Sequence, residues 1–522
     1  MTTNVKDIVI VGGGSSGWMT AATLASQLEN VNIKVIESPN IPTVGVGEST
    51  IGGIRAWMRL VGITDKDLIT NANASYKLAI KFNDFYKKDY GSWYYPFGRT
   101  SDQGNIHNRE DWFIKKMLYP DTPVKDYADC LYPQMALVTQ NKIDTHNPML
   151  DNFNFFDDTA FHFDATMFGA WLRDTFCKKL GVEYICAEVQ KINTDNAGIK
   201  ELELTNDRIV TADLFVDCTG FKSLLLGETL GVPFNDYSNI LPNNRAWATR
   251  VQYTDKESQL TSVTDCTAMD NGWIWNIPLW NRVGAGYVYS DEFVTPENAK
   301  SELISHLQQK GYSTTDCEFK DIKIRTGIHE KLWVKNVVAI GLSAAFVEPL
   351  ESSGLAITHE FATSLTKMLV RSNAYSQWDR DEFNIVCEDL FNYWAHFVSM
   401  HYALSHRNDT EYWRKISETS YVSEFTNLGN LQTQGVYFSS IYNKNFIDYL
   451  QDDDGVNCLA AGMNWNPSNK CVLGKIFPSR VNLHDEFQQM IRNLDYKKEK
   501  WNSSIKTAPS LNQYLYNNYF KD

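Results

Sequence analysis

Three glycines at a fixed spacing, set between a short apolar run and a helical pattern, constrain this chain more than any other feature of its sequence. Asp7–Val11 (DIVIV) reads as a buried parallel strand, Gly12–Gly17 (GGGSSG) as a tight turn, and Trp18–Leu28 as a helix; Asn32–Ile36 (NIKVI) reads as a second strand that ends at Glu37. In Gly12-x-Gly14-x-x-Gly17 the first glycine permits the turn. The second lets a diphosphate approach the backbone, and the third lets helix and strand pack closely. The helix start around Ser16 offers free N–H groups and the positive end of the helix dipole. Glu37, twenty residues beyond Gly17, can accept hydrogen bonds from ribose hydroxyls. Strand, turn, helix, strand and terminal acid in this order predict a dinucleotide site.

At 522 residues the chain is long enough for several lobes around one large core. Further buried strands are read at Glu183–Ile192, Ile199–Leu204, Asp213–Cys218, Trp273–Pro278, Gly284–Tyr289 and Val337–Gly341, and helices at Asp164–Lys179 and Leu355–Leu369. The stretch Asp89–Leu150 reads as a loop-rich insertion, and the chain beyond residue 380 as helical and aromatic. A net charge of −14 repels phosphate backbones and excludes nucleic acid as a partner. Nine cysteines without a CxxC pair predict reduced thiols and no metal framework. Neither a leader peptide nor an apolar run of membrane-spanning length is read, so the expected location is cytoplasmic, with no membrane partner.

Which dinucleotide? The strand Glu183–Ile192 can flank an adenine, and Asp213–Gly220 (DLFVDCTG) ends a buried strand in a small-residue turn that holds Asp217 and Gly220. Both features favour FAD over NAD. There is one glycine fingerprint, so electrons are expected on a flavin reduced elsewhere. Three other features stand out. Lys77 lies mid-strand in Ser75–Phe82 (SYKLAIKF), on the face opposite Tyr76, Leu78, Ile80 and Phe82. Glu351 lies in the Pro349–Gly354 turn at the C-terminal end of a strand, where α/β folds place ligands. Trp273 and Trp275 share one face of a strand in WIWNIP. Taken singly, the lysine and the glutamate read as solvated surface and the tryptophans as core.

Taken together the motifs say more. GxGxxGW at Gly12–Trp18, GVGEST at Gly45–Thr50, SYKLAIKF with Lys77 and FHFDA at Phe161–Ala165 are followed by DLFVDCTG, WIWNIP and EPLESSG at Glu348–Gly354. In this order and spacing, from about residue 5 to 410, they resemble the flavin-dependent tryptophan halogenase family. The resemblance implies an α/β fold: a Rossmann-like, GR2-type flavin monooxygenase-like FAD-binding core with a β-sheet insertion and a mainly helical C-terminal substrate region. It divides the chain into an FAD-binding βαβ unit with the lysine strand (1–90), the loop-rich insertion (91–160), the rest of the FAD core with WxWxIP (161–370) and the helical substrate region (371–522). It implies that FAD, delivered as FADH2 by a separate flavin reductase, O2 and chloride, bromide or iodide form hypohalous acid. That oxidant travels through a tunnel to an aromatic substrate.

In the resemblance Lys77 holds or reacts with the hypohalous acid, and Glu351 assists by stabilising the cationic arene and removing its proton. Ser353 and Gly354 occupy the halide turn, where threonine is more usual at Ser353. Glu48, Thr50, Val189, Leu342 and Leu355 match flavin-contacting positions. Trp273, Trp275, Ile277 and Pro278 form the tunnel motif, whose bulk hinders direct oxygen transfer to substrate. The sequence departs from members that hold free tryptophan. Their His-x-Phe loop is Tyr95-Pro96-Phe97 here, and their C-terminal Phe-Trp and Tyr-Tyr pairs align with Tyr449-Leu450 and Val456-Asn457, with Asp452–Asp454 between. The expected substrate is therefore an indole, phenol or other electron-rich arene, with bromide or iodide favoured. A halide-independent flavin monooxygenase and a non-catalytic flavin protein are the rivals; the first lacks WxWxIP and Lys77, and retention of Lys77 with Glu351 opposes the second. Self-association is left open, as it is common among large acidic flavoenzymes.

Overall fold

The dinucleotide half is built as its glycines dictate. The computed structural model describes residues 2–41, 48–101, 107–419, 453–467 and 483–521, so Gly45–Gly47, Tyr449-Leu450 and Asp452 lie outside the described residues. Asp7–Val11, Asn32–Glu37, Glu183–Cys186, Leu214–Asp217 and Val337–Ala339 form a parallel sheet, edged by the antiparallel Trp333–Val334. Ile8, Val9, Ile10, Leu214, Phe215 and Val216 are wholly buried, as continuous apolar runs in a doubly covered parallel sheet require. The helix Ser15–Gln27 starts three residues before its expected position and packs against the helix Ser353–Leu369. Gly12 has φ +115°, and a Cβ on Gly17 would stand 1.8 Å from the Gly12 carbonyl oxygen. No side chain could occupy that contact.

Beside this unit stands a seven-stranded sheet, ordered Phe319–Lys323, Arg245–Val251, Val283–Tyr289, Gly272–Pro278, Val263–Ala268, Ala79–Asn83 and Ser92–Pro96. A third, three-stranded sheet sets Ala160–Phe163 between Glu48–Ser49 and Ser75–Lys77. The segment 75–82 is therefore two strands rather than one. It leaves the small sheet at Lys77, bonds through Leu78 to Ser262 and Phe97, and enters the large sheet at Ala79. Both of its faces are interior at this seam, so Lys77 is fully buried instead of bordering water.

The expectation of a loop-rich stretch over 89–150 is corrected. It holds the strand Ser92–Pro96 and the helices His107–Leu118, Asp126–Leu131 and Met135–Gln140. Trp112, Phe113, Tyr127 and Tyr132 are buried there. Lys115 lies between Asp126 (2.8 Å) and Asp495 (2.7 Å), which ties this layer to the C-terminal helix Leu483–Ser504. Among the described residues no helix is long and apolar enough to cross a membrane, and no group of three or more acidic, cysteine or histidine residues could hold a metal.

Candidate functional site

The C-terminal ends of the parallel strands gather most of the expected cofactor residues. The helix Ser15–Gln27 begins at Gly14 without a side-chain cap and with no acid in its first turn, so its leading N–H groups face an anion site unopposed. Nothing lies within 4 Å of where a Cβ on Gly14 would sit. A Cβ on Gly341 would meet Ser16 Oγ at 2.2 Å, which places the Gly341–Ser343 turn and Leu342 against that helix start. Glu37 accepts from Trp18 Nε1 (3.2 Å) and faces Arg173 (3.4 Å). A Cβ on Gly13 would collide with Glu37, so this glycine shapes the acid end as well. Gly220 has φ +69° beside the same strand ends. These features fit the diphosphate and ribose of FAD.

Asp217 is different. Its carboxylate accepts from Thr219 N–H and O–H and from the N–H groups of Leu225 and Leu226, so it is spent on the turn and shapes the cofactor site from behind. Val189 begins a hairpin strand paired to Leu204, next to Ala187, whose N–H reaches the Glu37 carbonyl. Glu48 is half-buried, and its carboxyl is pushed up to about 7 by burial and by Asp164. Thr50 turns its hydroxyl to the Phe161 backbone and its carbonyl to Lys77.

The second cluster lies where the three-stranded and seven-stranded sheets join. Lys77 Nζ donates to the Thr50 carbonyl (2.9 Å) and to Ser352 Oγ (2.7 Å), and stands 4.8 Å above the Phe97 ring. Burial lowers its pKa to about 7, against the opposing pull of Cys266 and Glu351. Glu351 adjoins Ser352 and is likewise buried. His401 Nε2 stands 2.8 Å from Glu351 Oε1 but off the ring N–H direction, and among the described residues neither carboxylate oxygen accepts an aligned hydrogen bond. A buried carboxylate in that state is a ready proton acceptor.

The turn that carries Glu351 is held by the tryptophan motif. Glu348 Oε2 accepts from Trp273 Nε1 (2.8 Å), Asn243 Nδ2 (2.9 Å) and Tyr402 OH (2.7 Å). Trp273 therefore braces the Pro349–Gly354 turn, a role that the shared face of the two tryptophans did not reveal. Trp275, Ile277 and Pro278 continue the same buried strand, and Trp275 packs over Gly286. The turn ends in Ser352, held at φ 60°, and the helix Ser353–Leu369 starts there without a side-chain cap. Ser353 Oγ is buried without a partner among the described residues, and Gly354 is open. Free N–H groups beside a spare hydroxyl suit a small anion. Leu355 follows in the same first turn.

Phe97 lies under Lys77, and the Tyr95 ring centre stands 6.1 Å from that of Phe97. Phe397 closes on Tyr95 from the long helix Gln377–Ala403. Val456 and Asn457 are buried on the helix Asp453–Gly462, whose Gly455 lies so close to Tyr95 that a Cβ there would be 2.5 Å from the hydroxyl. The structure thus joins Lys77, Glu351, Thr50, Ser353 and Phe97 in one place. His401, Ser352, Trp273's partner Glu348 and Tyr402 were missed; their roles come from contacts across 50 residues or more, for which the local pattern holds no signal.

The family model described as Tryptophan halogenase matches residues 7–471. The tryptophan 6-halogenase ThaL of Streptomyces albogriseolus is 35% identical over 437 residues, covering 80% of each chain. The tryptophan 7-halogenase RebH of Lentzea aerocolonigenes is 29% identical over 99% of each. Among solved structures, the apo structure of VirX1 superimposes with a TM-score of 0.89 at 34% identity over 99% of each chain. Xcc4156, a flavin-dependent halogenase from Xanthomonas campestris, gives 0.84 at 25% identity over 99% of this chain and 98% of its own.

Proposed function

The chain belongs to the tryptophan halogenase family, and from that premise we propose that it halogenates an electron-rich arene other than free tryptophan, at Lys77 and Glu351. The observation that carries this reading is a pair of wholly buried ionisable side chains, Lys77 and Glu351, meeting at one turn beside an uncapped helix start. FAD would lie along Gly12, Gly14, Ser16, Gly17 and Glu37, and when reduced it supplies the electrons with which O2 oxidises halide to hypohalous acid. Ser353 Oγ and the leading N–H groups of its helix would hold the halide.

The rest follows from the chain's own groups. Lys77, as an ammonium, donates to the oxygen of the hypohalous acid and makes the halogen more electrophilic. Phe97 beneath it offers a flat apolar face to an aromatic guest. Glu351, whose oxygens accept no aligned hydrogen bond among the described residues, stabilises the cationic arene and takes its ring proton, becoming a neutral acid beside His401. Tyr95 at the His-x-Phe position, and a helix that buries Val456 and Asn457 instead of offering aromatic rings, support a substrate without the amino-acid end of tryptophan. Bromide or iodide, the more easily oxidised halides, are the halides we propose. A single dinucleotide fingerprint supports delivery of reduced flavin by a separate reductase.

The test is a panel of indoles, phenols and free tryptophan, each with chloride, bromide and iodide, a generic flavin reductase, and mass detection of product. Halide-dependent mass shifts on an indole or phenol, lost in Lys77→Ala and in Glu351→Gln, are expected. Selective turnover of free tryptophan, or full activity in Lys77→Ala, would refute it.

A further inference from the structure

Two stretches of the chain, Glu48–Thr50 and Phe161–Ala165, pair beside Lys77, and His162 and Ser49 within them have no part in the chemistry above. His162 is the middle of a row across the small sheet, flanked by Ser49 on one strand and Ser75 on the other. From it a line of buried hydroxyls leads to the lysine. His162 Nε2 lies 2.9 Å from Thr264 Oγ1, Thr264 Oγ1 2.6 Å from Ser49 Oγ, Ser49 Oγ 3.1 Å from Ser352 Oγ, and Ser352 Oγ 2.7 Å from Lys77 Nζ. Every member is buried.

We propose that His162 is a positioning residue for the halogenation: as the terminal acceptor of the Thr264–Ser49–Ser352 hydroxyl chain, it fixes the direction of every hydrogen so that Ser352 always presents a lone pair to Lys77. This rests on Lys77 being the residue that handles the oxidant.

The direction follows by elimination, because each hydroxyl has one hydrogen. Ser75 commits its own to the Pro278 carbonyl. Its oxygen, 3.5 Å from His162 Nδ1, can then only accept, so Nδ1 carries the imidazole hydrogen and Nε2 is left as an acceptor. Thr264 donates to Nε2 and so accepts from Ser49. Ser49 in turn accepts from Ser352, whose remaining lone pair faces the lysine. Burial and the nearby Lys77 charge hold His162 well below its ordinary pKa, so it stays neutral. The charged or ionisable groups that face Lys77 are Glu351 from the turn, Cys266 from the adjoining strand and His162 itself. Removing the end acceptor frees the chain to reverse. Ser352 would then donate toward Lys77 and favour the neutral amine over the ammonium.

The experiment is the pH profile of single-turnover halogenation by the FAD-loaded enzyme for wild type, His162→Leu, His162→Gln and Thr264→Val, with FAD affinity measured across the same range. Thr264→Val removes the hydroxyl at nearly constant volume, and glutamine returns an acceptor at the Nε2 position. Leucine and valine should move the alkaline limb down by about one pH unit, a loss of about tenfold above it, with FAD affinity unchanged; glutamine should restore the limb. Superimposed profiles for wild type, His162→Leu and Thr264→Val would overturn the proposal, as would equal shifts in His162→Leu and His162→Gln. Lys77→Ala separates the two layers. If it still halogenates, the role of Lys77 has failed; if it is inactive while the other profiles superimpose, only the hydroxyl chain has failed.

Discussion

Lys77→Met tests the electrostatic core of the site without touching the cofactor. A lysine whose pKa falls from 10.5 to about 7 in the fold carries a charge that the fold resists. The native state then binds fewer protons than the unfolded chain between these values, so stability rises with pH across that window. The deficit is complete below pH 7, at about 5 kcal/mol for a shift of this size, and it is relieved as pH climbs toward 10.5. Between pH 6 and pH 9 the wild type should gain about 3 kcal/mol relative to Lys77→Met, which has no proton to lose. The methionine variant also forfeits the bonds to Thr50 and Ser352; the part of that loss that follows protonation is already contained in the shifted lysine pKa, and the rest cancels in the difference. The assay is urea unfolding followed by tryptophan fluorescence at both pH values. With a slope of several kcal/mol per molar, the gap between the two midpoints should change by about half a molar. Parallel midpoints for the two proteins would show that Lys77 is not depressed in the fold, and the electrostatic argument would fall.

Trp273→Phe removes one of three donors to the buried Glu348 and should cost about 1–3 kcal/mol of stability, read as a lower unfolding midpoint, with a raised halide KM because the brace of the turn is loosened. Gly14→Ala and Gly17→Ala should part company. The first places its Cβ in open space and should fold but lose flavin affinity, while the second drives a Cβ to 1.8 Å from the Gly12 carbonyl and should not give a stable protein; flavin absorbance and circular dichroism distinguish them. Ser353→Ala should raise the KM for halide by about tenfold while leaving the rate at saturating halide nearly unchanged, since it removes one hydrogen bond to a bound ion.

What the sequence determined alone is local: the strand–turn–helix of Asp7–Gln27 and the acid that closes it at Glu37. Gly12 is required by its own φ of +115°, Gly17 by the Gly12 carbonyl and Gly14 by the space a ligand needs, and a short motif carries such information. The helices at 107–140 were illegible because two are six residues long and stand between Pro123 and Pro133 or just after it, below the length at which a helical period can be counted. Their burial comes from the distant helix Leu483–Ser504. The site was legible in its residue types but not in its environment. An alternating strand says that Lys77 faces away from Tyr76, but only the junction of two sheets at Leu78 decides that both faces are interior. The hydroxyl chain is a still clearer case: Lys77, Ser49, His162, Thr264 and Ser352 come from five separate segments, and no pattern in one segment specifies a partner in another. Side-chain type sets what a group can donate or accept; burial and the approach of remote strands set whether it is charged and what receives its proton.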